Sequence, residues 1–159
     1  MRILVLSDTH IPSVQSSLPQ DAIDAIQRAD MIFGLGDFTQ EETVHFLKGF
    51  SQPFYGVLGN MDAYELRDYL PIKRLLNLEG HSLYMVHGWG SRDGLEERIY
   101  QSLPTEKPHV CFYGHSHCPT DKMIGVTRFI NPGTCRKGGT VALIELGEKI
   151  ACTFQEIKK

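Results

Sequence analysis

MRILVLSDTH, residues 1–10, decides the fold. One charge precedes ILVLS, residues 3–7, which ends at Asp8-Thr9-His10. A short run without polar alternation reads as a strand buried on both faces. Outward from it, PQDAIDAIQRA, residues 19–29, sets Ala22, Ile23 and Ile26 at helical spacing. Residues 31–36 are a second apolar run, and 53–59 a third strand candidate. Between them, residues 41–50 carry Val44, Phe46, Leu47 and Phe50 on one helical face. Strands that alternate with helices build a parallel sheet through crossover connections.

The rest of the chain follows another pattern. Residues 74–78 and 82–86 flank Glu79-Gly80-His81, a tight turn between two strands. Ser91 is the expected N-cap of a helix that reaches about Leu103 and stops at Pro104. Residues 109–113 and 126–130 read as strands, and 140–146 with 149–155 as a terminal hairpin. Crossovers followed by hairpins predict an α/β fold: two mixed β-sheets packed as a sandwich and flanked by helices. The 159 residues suffice for one domain, 1–159, with a core that needs no disulfides.

A formal charge of −3 and a pI near 6.1 argue against a nucleic-acid coat or a polybasic membrane surface. Stable nucleic-acid binding and membrane association are therefore not expected, whereas a small phosphate-ester substrate is compatible with a local basic pocket. The opening apolar run is too short for a secretion signal, and no run reaches bilayer length. Cys111, Cys118, Cys135 and Cys152 lack paired spacing and read as reduced thiols. A cytoplasmic protein is the expectation, with a homo-oligomer left open.

The polar residues fall in one kind of place. ILVLS ends at Asp8 and His10, MIFGLG at Asp37, FYGVLG at Asn60, SLYMV at His87, and HVCFYG at His115 and His117. Ligands of α/β sheets bind outside the carboxyl ends of the strands. Two aspartates, one asparagine and four histidines offer oxygen and imidazole nitrogen without thiolate, a set suited to Mn²⁺, Fe²⁺, Ni²⁺ or Zn²⁺. Seven ligands exceed one tetrahedral site and fit two ions that share a carboxylate, for which Asp37 is the candidate. Taken singly, either aspartate would be a helix cap and His10 or His87 a hydrogen-bonded buried imidazole. The shared placement outweighs those readings. His45, His81 and His109 fall in a helix, a turn and a strand start, and Cys118 is read as no ligand.

The series Asp8-Thr9-His10, Gly36-Asp37, Gly59-Asn60, His87-Gly88 and Gly114-His115-Ser116-His117 resembles the calcineurin-like metallophosphoesterases. Asn131-Pro132-Gly133-Thr134 and the chain length resemble the small YfcE-like phosphodiesterase branch. The resemblance implies a four-layer fold with the metal site at one edge. It also implies one ion on Asp8, His10, Asp37 and His117, and another on Asp37, Asn60, His87 and His115. Asn60-Met61-Asp62 departs from the wider family, where a histidine stands at the position of Met61 and helps protonate the leaving group. Asp62 is read as the partner of a ligand histidine or a cap for the next helix.

The expected activity is metal-dependent hydrolysis of a phosphodiester by water or hydroxide activated between two divalent ions, in line with the leaving group. Mn²⁺ is the expected ion in use, with Ni²⁺, Zn²⁺ or Fe²⁺ as alternatives. Asp37, Asn60 and His87 are the residues expected at the chemistry. Arg136 is a candidate phosphate clamp and Trp89 a candidate pocket wall. The alternatives are an inactive interaction scaffold of this fold, like the retromer subunit, or a phosphomonoesterase.

Overall fold

Both faces of the first strand are buried, as the run ILVL requires. The computed structural model describes residues 1–159. Its first part runs β1 (Arg2–Leu6), α1 (Gln20–Gln27), β2 (Met31–Gly34), α2 (Glu41–Lys48) and β3 (Phe54–Gly56). A 3-10 turn over Tyr64–Asp68 leads to β4 (Lys73–Leu78), β5 (His81–Val86), α3 (Leu95–Ser102) and β6 (Val110–Phe112). The chain closes with β7 (Thr120–Ile124), β8 (Thr127–Asn131), β9 (Thr140–Leu146) and β10 (Ile150–Glu156).

One sheet has the order β10-β9-β1-β2-β3 and the other β4-β5-β6-β8-β7. β1, β2 and β3 pair in parallel through the crossovers α1 and α2, while β9 joins β1 antiparallel. The second sheet is also mixed, with β5, β6 and β8 parallel and the edges β4 and β7 antiparallel.

Side-chain alternation along a strand divides the core. Ile3 and Val5 enter the space between the sheets with Phe33, Phe112, Ile130 and Ile144. Leu4 and Leu6 point the other way, onto Ala22, Ile26, Val44 and Leu47 of α1 and α2. On the far side, Leu95 and Ile99 of α3 cover Tyr84, Cys111 and Phe129. The result is four layers: helices, sheet, sheet, helix. Each fully buried large side chain, such as Phe33 or Phe112, contributes on the order of 2–3 kcal/mol from apolar surface removed from water.

The edge strand β7, Thr120–Ile124, has no counterpart among the strands expected from the sequence. Ser91 does not cap α3: its Oγ accepts the Asp93 N–H at 3.2 Å, and the helix begins at Leu95 after Gly94, whose φ is 71°. β2 and β3 also stop short of their expected ends, and the residues released form site loops. No helix is long and apolar enough to cross a membrane.

Candidate metal centre

All seven sequence-predicted ligands follow the carboxyl ends of strands. Asp8 and His10 follow β1, Asp37 follows β2, Asn60 follows β3, His87 follows β5, and His115 and His117 follow β6. Neighbouring parallel strands deliver these loops to one side of the molecule. Asp8 is fully buried, and Asp37 and His87 are nearly so.

The carboxylates sit between imidazoles. Asp8 Oδ1 lies 3.2 Å from His117 Nε2, 3.7 Å from His10 Nε2 and 3.8 Å from His87 Nε2. Asp37 Oδ2 lies 3.3 Å from His87 Nε2 and 3.5 Å from His10 Nε2. Two groups with converging donors result: Asp8, His10 and His117, and Asp8, Asp37 and His87. Asp8 belongs to both, while Asp37 reaches a histidine of each. Asn60 and His115 adjoin them, since the His115 ring lies 5.3 Å from that of His87 and its Nδ1 3.1 Å from Asn60 Oδ1.

The backbone is bent to make this arrangement. Seven non-glycine residues have positive φ, and six of them lie here: Asp8, His10, Asp37, Thr39, His115 and His117. The left-handed region is costly for residues with a Cβ, and such strain collects at functional sites. The motif glycines have a separate cause. A Cβ on Gly59 would collide with the Asp37 carboxylate, and one on Gly114 with the Ser7 hydroxyl.

Surrounding groups fix the candidate ligands. Asp8 Oδ2 accepts from Ser7 Oγ at 2.6 Å and His115 N–H at 3.2 Å, which leaves Oδ1 for the imidazoles. Asp37 Oδ1 accepts the Met61 N–H at 2.8 Å, leaving Oδ2. Asp62 does not meet a ligand histidine; it accepts the N–H groups of Asp37, Thr39 and Gly59 at 3.1, 2.8 and 2.7 Å. Buried Asn131 donates to the Gly114 carbonyl and Ser116 Oγ, both at 2.9 Å, and so holds the loop that carries His115 and His117. Thr134 Oγ1 donates to the Asp8 carbonyl at 2.9 Å. The sequence marks Asn131 and Thr134 only through the NPGT turn.

Electrostatics suit the cluster to a cation. Burial pushes Asp8 upward, yet His10, His117, His87 and the Ser7 hydroxyl together hold it well below the usual carboxylate range. The neighbouring Asp8 raises His10 against the opposing effect of burial. Burial lowers His87, but Asp37, Asp8 and the Leu35 carbonyl outweigh it and leave the group raised. Asp8 Oδ1, His10 Nε2 and His87 Nε2 are buried without a hydrogen-bond partner. Buried polar atoms are rarely left so, and a divalent ion satisfies carboxylate oxygen and imidazole nitrogen together. The residues present therefore fit a metal.

A cavity of about 560 Å³ adjoins this cluster, and Asn60 and His87 belong to its wall. Trp89, expected as a pocket wall, lines it too. Arg136 is not among the lining residues and lies half-buried after the Thr134 turn. Arg67 and Lys73, which sequence reasoning missed, line the cavity.

Two facing mixed sheets with carboxylates and imidazoles at their strand ends define a metallophosphoesterase fold. The calcineurin-like phosphoesterase superfamily domain matches residues 1–149, and the chain belongs to that superfamily, in its small YfcE-like branch. Members of this superfamily use divalent metals. A protein of Methanothermobacter thermautotrophicus described as a probable metallophosphoesterase is 29% identical over 134 residues, covering 84% of this chain and 77% of its own. The Thermotoga maritima protein TM1076 is 36% identical, covers 98% of each chain and superposes with a TM-score of 0.80. The fold is shared with an archaeal phosphodiesterase, 18% identical with a TM-score of 0.75 over 98% of this chain and 100% of the other. It is shared as well with Entamoeba histolytica Vps29 complexed with zinc, 21% identical with a TM-score of 0.74 over 99% and 100%.

Proposed function

We propose that the chain is a phosphodiesterase that works with two divalent ions, Mn²⁺ being the ion in use, on a small phosphate ester. The observation that carries this reading is the buried cluster of partnerless ligand atoms beside a cavity whose wall includes Asn60 and His87. Asp8, His10, Asp37 and His117 would hold one ion, and Asp37, Asn60, His87 and His115 the other. Asp37 Oδ2, 3.5 Å from His10 Nε2 and 3.3 Å from His87 Nε2, supports Asp37 as the residue that both ions would share. Bound ions supply Lewis acidity toward a phosphoryl oxygen and lower the pKa of water.

The remaining work belongs to the chain. Asp8 and Asp37 hold the negative charge that selects cations, and their second oxygens are tied to Ser7 and Met61 so the free ones keep their aim. Asn60 offers a neutral amide, which leaves more positive charge for the substrate than a third carboxylate would. Trp89 forms an apolar wall of the cavity. Met61, 58% exposed, offers no proton to a leaving group, which favours esters whose departing oxygen is already a weak base.

The test is hydrolysis of bis-p-nitrophenyl phosphate and p-nitrophenyl phosphate by chelated protein given Mn²⁺, Ni²⁺, Zn²⁺ or no metal. Metal-restored cleavage of the diester that disappears in His117→Ala is the expected result. Preference for the monoester makes the chain a phosphomonoesterase. Failure of every metal on both esters replaces catalysis with a partner-binding role on the same fold.

A further inference from the structure

We infer that the cavity beside the metal cluster takes a nucleotide-class phosphodiester, with Arg67 and Lys73 binding a second phosphate and Trp89 stacking on the base. This rests on the phosphodiesterase reading and names the substrate class for that site.

Charge is the first ground. Arg67 lies on the 3-10 turn with its guanidinium 4.9 Å from the Tyr64 ring centroid, and Lys73 opens β4. Both are exposed, both line the cavity, and neither is in an ion pair. The one carboxylate in the wall, Asp62, is taken up by three backbone N–H groups. The scissile phosphate has the metal cluster to answer its charge. Two further unneutralised cations beside it match a ligand that carries additional negative charge.

Shape is the second ground. A volume of about 560 Å³ exceeds what a bare phosphate occupies and falls within the range of nucleotide-sized ligands. Leu58, Ile72, Val86 and Trp89 supply apolar wall. Ile72 is 69% exposed and Trp89 42% exposed, so large apolar groups stand in water where a planar base can cover them. The loop that carries Trp89 is held in place: Arg98 Nη2 donates to the Trp89 carbonyl at 2.7 Å, and His115 Nε2 lies 2.7 Å from the Gly90 carbonyl.

Two chromogenic esters isolate the second phosphate. Thymidine 5′-(p-nitrophenyl phosphate) and its 3′-phosphorylated counterpart each consume one water at the bond from phosphorus to the aryl oxygen. Each yields p-nitrophenol plus thymidine 5′-phosphate or thymidine 3′,5′-bisphosphate. The 3′-phosphorylated ester should be preferred in kcat/KM by roughly tenfold at low salt. Arg67→Gln and Lys73→Gln should each pull that ratio toward one, and Lys149→Gln, outside the cavity, should not.

A second readout needs no turnover. Trp89 is the single tryptophan of the chain, so its fluorescence reports on this cavity alone. Thymidine 3′,5′-bisphosphate should quench zinc-loaded protein at lower concentration than thymidine 5′-phosphate, and Arg67→Gln should remove the difference. Cleavage of both esters with equal efficiency, together with equal quenching by the two nucleotides, overturns the inference and leaves the phosphodiesterase intact. Selective quenching without hydrolysis of any ester overturns the phosphodiesterase and retains the nucleotide site.

Discussion

His87 Nδ1 lies 2.6 Å from the carbonyl oxygen of Leu35, a contact that ties the loop after β5 in one sheet to the loop after β2 in the other. With the proton on Nδ1, the Nε2 lone pair is left for a cation that the facing oxygens of Asp37 and Asp8 would share. The two halves of the candidate centre, one from each sheet, are thus registered by a histidine that spans them.

Replacement of that histidine carries two costs. His87→Ala is expected to weaken Zn²⁺ binding at least about tenfold. It also strands two buried carboxylates, which lowers the stability of the metal-free protein by roughly 1–3 kcal/mol. Calorimetric titration and urea unfolding measure these separately. Unchanged zinc affinity would remove His87 from the ligand set.

Gly59→Ala tests the close approach of backbone to Asp37. The added Cβ forces the carboxylate or the Asn60 loop to move, because the first atoms it meets are Asp37 Oδ1 and the Asp37 backbone nitrogen. A loss of about 1–3 kcal/mol accompanies such overpacking, and diester cleavage falls more steeply than folding stability. Full activity in this variant would show that the pocket tolerates a different carboxylate position.

Asn131→Ala removes a buried amide that serves three partners, Gly114, Ser116 and the Gly133 N–H. Groups left unsatisfied in the interior cost about 1–3 kcal/mol, and loosening of the loop that carries His115 and His117 lowers metal affinity roughly 10- to 100-fold. Thermal melts with and without Zn²⁺ separate the effects: the melting temperature falls in both, and the increment gained from metal shrinks.

Metal uptake is coupled to protons. His10 and His87 both stand above the ordinary value of 6.5 in the metal-free protein, and a ligand imidazole must be neutral. Affinity for metal therefore falls as pH falls, beginning above 6.5, by up to about tenfold per pH unit for each proton displaced. The metal-free fold has the opposite dependence on these groups. Their stabilisation is complete below the unfolded value of 6.5 and is lost as pH rises through their raised folded values. Asp8 contributes stability that is present above 3.8 and lost as pH falls through its depressed folded value. Zinc titrations in buffers of different ionisation heat count the released protons. A pH-independent affinity across the neutral range contradicts the histidine assignment.

The candidate ligands are legible in the sequence because each follows an apolar run readable as a strand, and strand ends meet at one side of an α/β sheet. The layering is legible for a similar reason, since the run ILVL with no polar alternation demands cover on both faces. β7 is not, because Asp121, Lys122 and Met123 are exposed and the strand exists through its ladder with β8. The start of α3 is misread because Ser91 is a good cap by type, whereas the left-handed Gly94 decides where the helix begins. Arg67 and Lys73 stand on a 3-10 turn and at a strand start, where nothing in local spacing marks a cavity wall. Asp62 is legible as a partner but not as a partner of backbone, because the N–H groups that donate to its carboxylate arrive from residues 37, 39 and 59 through the fold.

The six left-handed residues of the centre carry a consequence for inheritance. At Asp8, His10, Asp37, Thr39, His115 and His117, glycine would suit the backbone better than the residue present. A population propagated under heat challenge alone, with no demand on turnover, drifts toward glycine or asparagine there and gains thermal tolerance as it does so. Aspartate and histidine at five of these positions therefore stand where the backbone alone favours glycine, a strain that the chemistry of the centre would have to offset.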